Sequence, residues 1–142
     1  MRYEKSCGAV VFHDTDTQRL YLVEHMLLGH TALCKGHVEG EETEYETAQR
    51  EILEETGLHV SFVPGFRTLA CYSPAEGVQK EVVYFLARAD SIETTPQPEE
   101  VSSLEFLPLE EALKAMTYED DRGILRDADK YLRSYTRSLG QS

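Results

Sequence analysis

Between Glu39 and Glu55 the chain carries eight glutamates against one arginine, Arg50. Thr43-Glu44-Tyr45-Glu46 has the form of a capping box, in which the threonine hydroxyl and the Glu46 carboxylate satisfy orphan N–H groups, and Gly57 supplies a stop. A helix from residue 43 to 57 is expected. Within it Glu51, Glu54 and Glu55 stand at i, i+3 and i+4, which sets three carboxylates side by side. Like charges at that spacing destabilise a helix by about 0.2–0.5 kcal/mol per pair, so compensation must come from outside it. A hard divalent cation is the natural source. Tyr45, Ala48 and Ile52 recur at helical spacing and should pack inward, with Glu51 and Glu54 toward the opposite flank and Glu55 near its edge.

Strands are expected on both sides of this helix. Residues 6–12 form a nearly continuous apolar run, and 19–24 alternate around Leu20, Leu22 and Val23. Residues 29–36 break the period and read as a loop, whereas 58–63, 66–72 and 80–89 return to strand. Val82 to Leu86 is apolar on both faces, the mark of a central strand. Two prolines make 91–100 a loop; 101–107 is strand again, a short helix opens at Pro108 and runs through Met116, and a longer one covers 119–139. With no repeat or linker, the 142 residues are expected to form one domain.

The net charge of −12 argues against sequence-independent binding to DNA or RNA, which draws its affinity from Lys and Arg on phosphates. A small phosphate compound is still compatible if metal ions and a few local cations screen it. No apolar run approaches the roughly 20 residues needed to span a bilayer. The first residues do not have the form of a signal peptide, so a cytoplasmic location is expected, with no membrane partner. Cys7, Cys34 and Cys71 are odd in number and widely spaced, and read as free thiols.

Written as a pattern, the central stretch is Gly36, five residues, Glu42, seven residues, then Arg50-Glu51-Ile52-Leu53-Glu54-Glu55-Thr56-Gly57-Leu58. It resembles the Nudix box, G-x5-E-x7-R-E-U-x-E-E-x-G-U with U apolar, at all nine constrained positions across 23 residues. The resemblance implies an α/β Nudix fold, a mixed curved sheet sandwiched between helices. It also implies Mg2+-dependent hydrolysis of a phosphoanhydride, Mn2+ being an alternative ion. Glu51, Glu54 and Glu55 would hold the metal, Arg50 would orient a carboxylate, and Glu54 is the first candidate for general base. A glutamate downstream of the box serves in some members, and Glu100 occupies that place here, with Glu99 as its rival.

Within the family the chain resembles asymmetric diadenosine tetraphosphate hydrolases. By that resemblance Lys35, His37 and Lys80 would meet phosphate and Tyr72 and Tyr84 would stack on a base, the products being ATP and AMP. The implied partner is a small nucleoside polyphosphate and the implied assembly a monomer or homodimer. That branch shows W-x-x-P-K before the box, whereas this chain has Thr31-Ala32-Leu33-Cys34-Lys35, without the aromatic or the proline. Cys34 fills the proline's place either as a small residue or as a thiol acidified by Lys35. RNA 5′-ends, nucleotide sugars and inositol pyrophosphates are rival substrates, and a nucleotide-sensing domain without turnover is the rival class.

Overall fold

Alternate residues of the first strand face opposite sides of a sheet, Val10 and Phe12 toward one core, Cys7, Ala9 and Val11 toward another. The computed structural model describes residues 1–140, with side chains through residue 135. Strand β1 (Arg2–Asp14) runs antiparallel to β2 (Arg19–Met26) at its far end and to β4 (Cys34–His37) at its near end. Along its other edge it pairs in parallel with β7 (Val78–Ala89), from Arg2 opposite Val78 to Phe12 opposite Arg88. β3 (Thr31–Ala32) and β8 (Val101–Pro108) extend the sheet beyond β2; β5 (Val60–Phe62) and β6 (Thr68–Tyr72) extend it beyond β7. The result is one mixed sheet of eight strands.

Helices cover both faces. The helix α1 (Glu44–Thr56) packs Ala48 and Ile52 against Cys7, Ala9, Val83 and Phe85. On the opposite face α2 (Leu109–Ala115) and α3 (Glu119–Gly140) set Ala112, Leu125, Ala128 and Leu132 against Val10, Phe12, Val82 and Tyr84. A buried hydrogen bond from the Tyr21 hydroxyl to Asp129 Oδ1, 2.6 Å, ties β2 to α3. This is the α/β sandwich expected from the resemblance, with β7 as the central strand that Val82 to Leu86 predicts.

Two expectations need correction. The segment 29–36 holds strands β3 and β4, which its broken period hides because their pairing is short and glycine-containing. Tyr45 packs inward only by its ring, which stacks on Phe85 at a centroid distance of 4.0 Å while the residue stays exposed. The α1 boundaries agree with the sequence. Thr43 Oγ1 accepts from the Glu46 N–H, the Glu46 carboxylate accepts from the Thr43 N–H, and Gly57 closes the helix at φ 76°.

Candidate active site

β4 delivers the box to the sheet and α1 carries its carboxylates, so the site forms where these two elements meet. Gly36 shows why the pattern begins with glycine. A Cβ there would lie 1.9 Å from Cδ of Glu51, so its absence leaves the space that the Glu51 carboxylate occupies against β4. Arg50 explains the spacing between Glu42 and the helix. Its Nε donates to Glu42 Oε2 at 2.6 Å and Nη2 to Glu42 Oε1 at 3.0 Å, a two-pronged pair across eight residues. The same guanidinium reaches Glu51 at 2.8 Å, Glu54 at 3.2 Å and the carbonyl of His37 at 2.9 Å. It holds the Glu42 carboxyl down to about 2, and it fixes the loop and two carboxylates of α1 at once.

The three expected metal carboxylates lie at graded depths. Glu54 has a side chain 47% exposed, Glu51 is half-buried, and Glu55 is only 2% exposed. Glu55 does not sit at the edge of the carboxylate face, because it shares the α1 stripe of Ala48 and Ile52 and turns toward the sheet. There it meets Glu24 of β2 and Cys34 of β4. Cys34 Sγ lies 2.9 Å from Glu55 Oε1 and donates to it. Burial, joined for Glu55 by the charge of Glu24, pushes both carboxyls well above the usual carboxylate range. Burial also raises the Cys34 thiol, with the two glutamates adding to the effect, which corrects the reading of it as acidified by Lys35. Cys7, Cys34 and Cys71 are free, as expected.

Around this floor lies a cavity of about 450 Å³ that gathers Lys35, His37, Lys80, Glu51, Glu54, Glu55 and Glu100. Glu99 is not among its lining residues, and a hydrogen bond from the Leu27 N–H to the Glu100 carbonyl anchors Glu100 at the cavity rim. Burial first, and then the neighbouring charge of Lys35, holds the Lys80 ammonium below its usual range. Two cations so placed favour an anion between them. Arg50 stays behind the cavity wall, in contact with carboxylates. The oxygen-only set of Glu51, Glu54, Glu55 and Glu100 suits a hard divalent cation.

A second cavity of about 460 Å³ meets the first at Lys35 and is lined by His30, Tyr72, Tyr84, Tyr118 and Asp121. Tyr72 opens to solvent, whereas Tyr84 is 1% exposed and presents its side chain as part of the cavity's floor. Tyr118, 55% exposed, was not foreseen from sequence, nor was His30, whose ring centroid lies 6.0 Å from that of Tyr118. Neither falls in a motif; two hydrogen bonds between Thr117 and Thr31 of β3 hold the turn that carries Tyr118, and Tyr118 and Tyr72 meet only across the cavity. Burial lifts the Asp121 carboxyl of this cavity to about 6.

A family model described as the NUDIX domain matches residues 3–128. The chain belongs to the Nudix family. It is a hydrolase that acts on phosphoanhydride bonds. The asymmetrical bis(5′-nucleosyl)-tetraphosphatase of Rattus norvegicus is 29% identical over 142 residues, covering 92% of this chain and 96% of the relative. The 8-oxo-(d)GTP phosphatase of Mycolicibacterium smegmatis is 31% identical over 132 residues and 86% of this chain, but the chain spans only 40% of that longer relative. A second mycobacterial relative is likewise longer, and the chain spans 56% of it. Among solved structures, a C. elegans Ap4A hydrolase binary complex superposes with a TM-score of 0.84 at 24% identity, over 92% of this chain and 98% of that one. Members of the family generally use divalent metal ions. No helix among the described residues is long and apolar enough to cross a membrane.

Proposed function

We propose that this chain is a Mg2+-dependent nucleoside polyphosphate hydrolase whose best substrate is a dinucleoside tetraphosphate, split to a nucleoside triphosphate and a nucleoside monophosphate. One observation carries the reading: a carboxylate-and-lysine cavity and an aromatic cavity meet at Lys35. That pairing suits a ligand with a flat base at one end and a run of phosphates leading away from it. Tyr72 and Tyr118 would hold the base by stacking, and Asp121 would accept from an exocyclic amine. Lys35, His37 and Lys80 would hold the phosphate oxygens. The rat relative's name and the C. elegans structure support the same substrate class.

Glu51, Glu54, Glu55 and Glu100 are the residues that would hold the divalent ion. When bound, such an ion neutralises charge on the bridging and leaving oxygens and acidifies the attacking water. Glu54, the most exposed of the three box carboxylates Glu51, Glu54 and Glu55, receives the water's proton. Arg50 keeps Glu51 and Glu54 in position from behind, and Glu42 in turn keeps Arg50 in place.

The test is a panel with Mg2+ in isotopically labelled water, covering dinucleoside polyphosphates, 8-oxo-dGTP, capped RNA, nucleotide sugars and inositol pyrophosphates. Diadenosine tetraphosphate is expected to show the highest kcat/KM, with label in AMP if water attacks the phosphorus nearest adenosine. Base stacking on an aromatic is worth about 1–3 kcal/mol, so Tyr118→Ala should raise KM roughly tenfold to a hundredfold with kcat little changed. Preference for any other class overturns the substrate reading. Nucleotide binding without turnover of any member would instead make the chain a sensor.

A further inference from the structure

Beneath the carboxylate cavity, three side chains from three different elements come together: Glu24 of β2, Cys34 of β4 and Glu55 of α1. One ligand atom from each lies within 4.8 Å of the other two, and among the described residues no other group of three His, Cys, Asp or Glu side chains converges so closely. All three are buried, and Glu24 is only 1% exposed. Glu24 Oε2 has no hydrogen-bond partner. A buried carboxylate oxygen without a donor is costly, and here it belongs to a cluster whose other two members are also acidic.

We propose that Glu24, Cys34 and Glu55 form a second metal site that takes a thiophilic divalent cation of the zinc class. The donor set separates it from the oxygen-only set above. A thiolate disfavours Mg2+ and selects softer ions such as Zn2+. Zinc binds sulfur at about 2.3 Å and carboxylate oxygen at about 2.0–2.2 Å, so tetrahedral ligand atoms stand roughly 3.5 Å apart. The observed cluster is already near that size, since Cys34 Sγ and Glu55 Oε1 are 2.9 Å apart and need only open slightly. Two of the ligands lie on β2 and β4, strands that both pair with β1, which gives the set a rigid base. Glu55 also lines the carboxylate cavity, so an ion reaches Cys34 and Glu24 from solvent through that cavity. The cluster exists because Cys34 of β4 and Glu24 of β2 come together beside Glu55 of α1.

The site rests on Glu24 and Cys34, which the oxygen-only set does not use, together with Glu55, which the two share; it does not rest on the substrate assignment, and its readout is spectroscopic. Co2+ titrated into the reduced protein is expected to give a near-ultraviolet thiolate-to-cobalt charge-transfer band that saturates at one equivalent. Zn2+ should abolish the band and excess Mg2+ should leave it. Cys34→Ser should remove it, Cys71→Ser should retain it, and Glu24→Gln should weaken Co2+ binding by at least roughly tenfold, since even outer-shell partners cost that much. If Cys34→Ser does not fold, zinc-edge X-ray absorption of the unaltered protein decides, a sulfur neighbour at about 2.3 Å being expected. An all-oxygen zinc shell, no charge-transfer band in the unaltered protein, or a band that survives Cys34→Ser overturns the site. None of these results depends on whether diadenosine tetraphosphate turns over.

Discussion

Replacing Glu54 with glutamine is expected to lower kcat by about 10²–10⁴-fold, the range typical for loss of a positioned general base, and to leave the fold intact. The side chain is 47% exposed and its one recorded partner is Arg50 at 3.2 Å, a contact that a glutamine oxygen can also accept. Arg50 keeps its stronger anchors on Glu42 and Glu51, so α1 and its loop should not shift. Steady-state kinetics with Mg2+ beside a thermal unfolding curve separates the two effects. Near-normal kcat in Glu54→Gln would remove Glu54 from the proton transfer, and a large loss in Glu100→Gln would then install Glu100 in its place.

The largest expected effect on stability comes from Gly8→Ala. A Cβ at position 8 would stand 1.8 Å from the Cys34 carbonyl oxygen and 2.7 Å from Lys35 Cα. Both are backbone atoms of β4, so no side chain can swing aside, and the register of Gly8 opposite Lys35 has to open. Overpacking of this kind costs about 3 kcal/mol or more when the neighbour cannot yield, a large part of an ordinary domain's stability. Tm should fall by about 10 °C. Gly123→Ala makes the contrast. That glycine lies within α3 with nothing within 4 Å of its added Cβ, and alanine there gains up to about 1 kcal/mol of helix propensity. Opposite signs for the same substitution are expected in calorimetry; a Gly8→Ala protein as stable as the original would mean β4 does not pair with β1 in this register.

Much of the candidate site's geometry was legible because the carboxylates proposed for the reaction lie within one continuous stretch. Thr43 and Glu46 state where α1 begins and Gly57 where it ends, and the structure forms both caps. What could not be read concerns partners from elsewhere in the chain. Glu55 reads from sequence as lying near the edge of the carboxylate face, because nothing near it in sequence announces Glu24 and Cys34, which receive it from two strands. β4 was hidden because Gly36 spends a strand position on making room for Glu51 and so breaks the alternation that identifies strands. Tyr118 and His30 carry no signature beyond being aromatic, and the cavity they share with Tyr72 exists only once α3 has docked. Tyr84 could be placed on the central strand, but which face it took depended on a register that periodicity does not give.

The parallel pairing of β1 with β7 also governs the order in which the molecule can come into being. Arg2 must find Val78 and Phe12 must find Arg88, and the whole glutamate-rich helix lies in the loop closed between them. Closing so long a loop is an entropic debt met before any of its contacts reward it, and contacts of that sequence separation make folding slow. Lys35 and Lys80 sit on the strands that flank β1, opposite Gly8 and Glu4. A nascent chain released only as far as α1 therefore holds every carboxylate of the box, lacks the opposing lysine, and exposes the edge of β1 as an open template for mispairing.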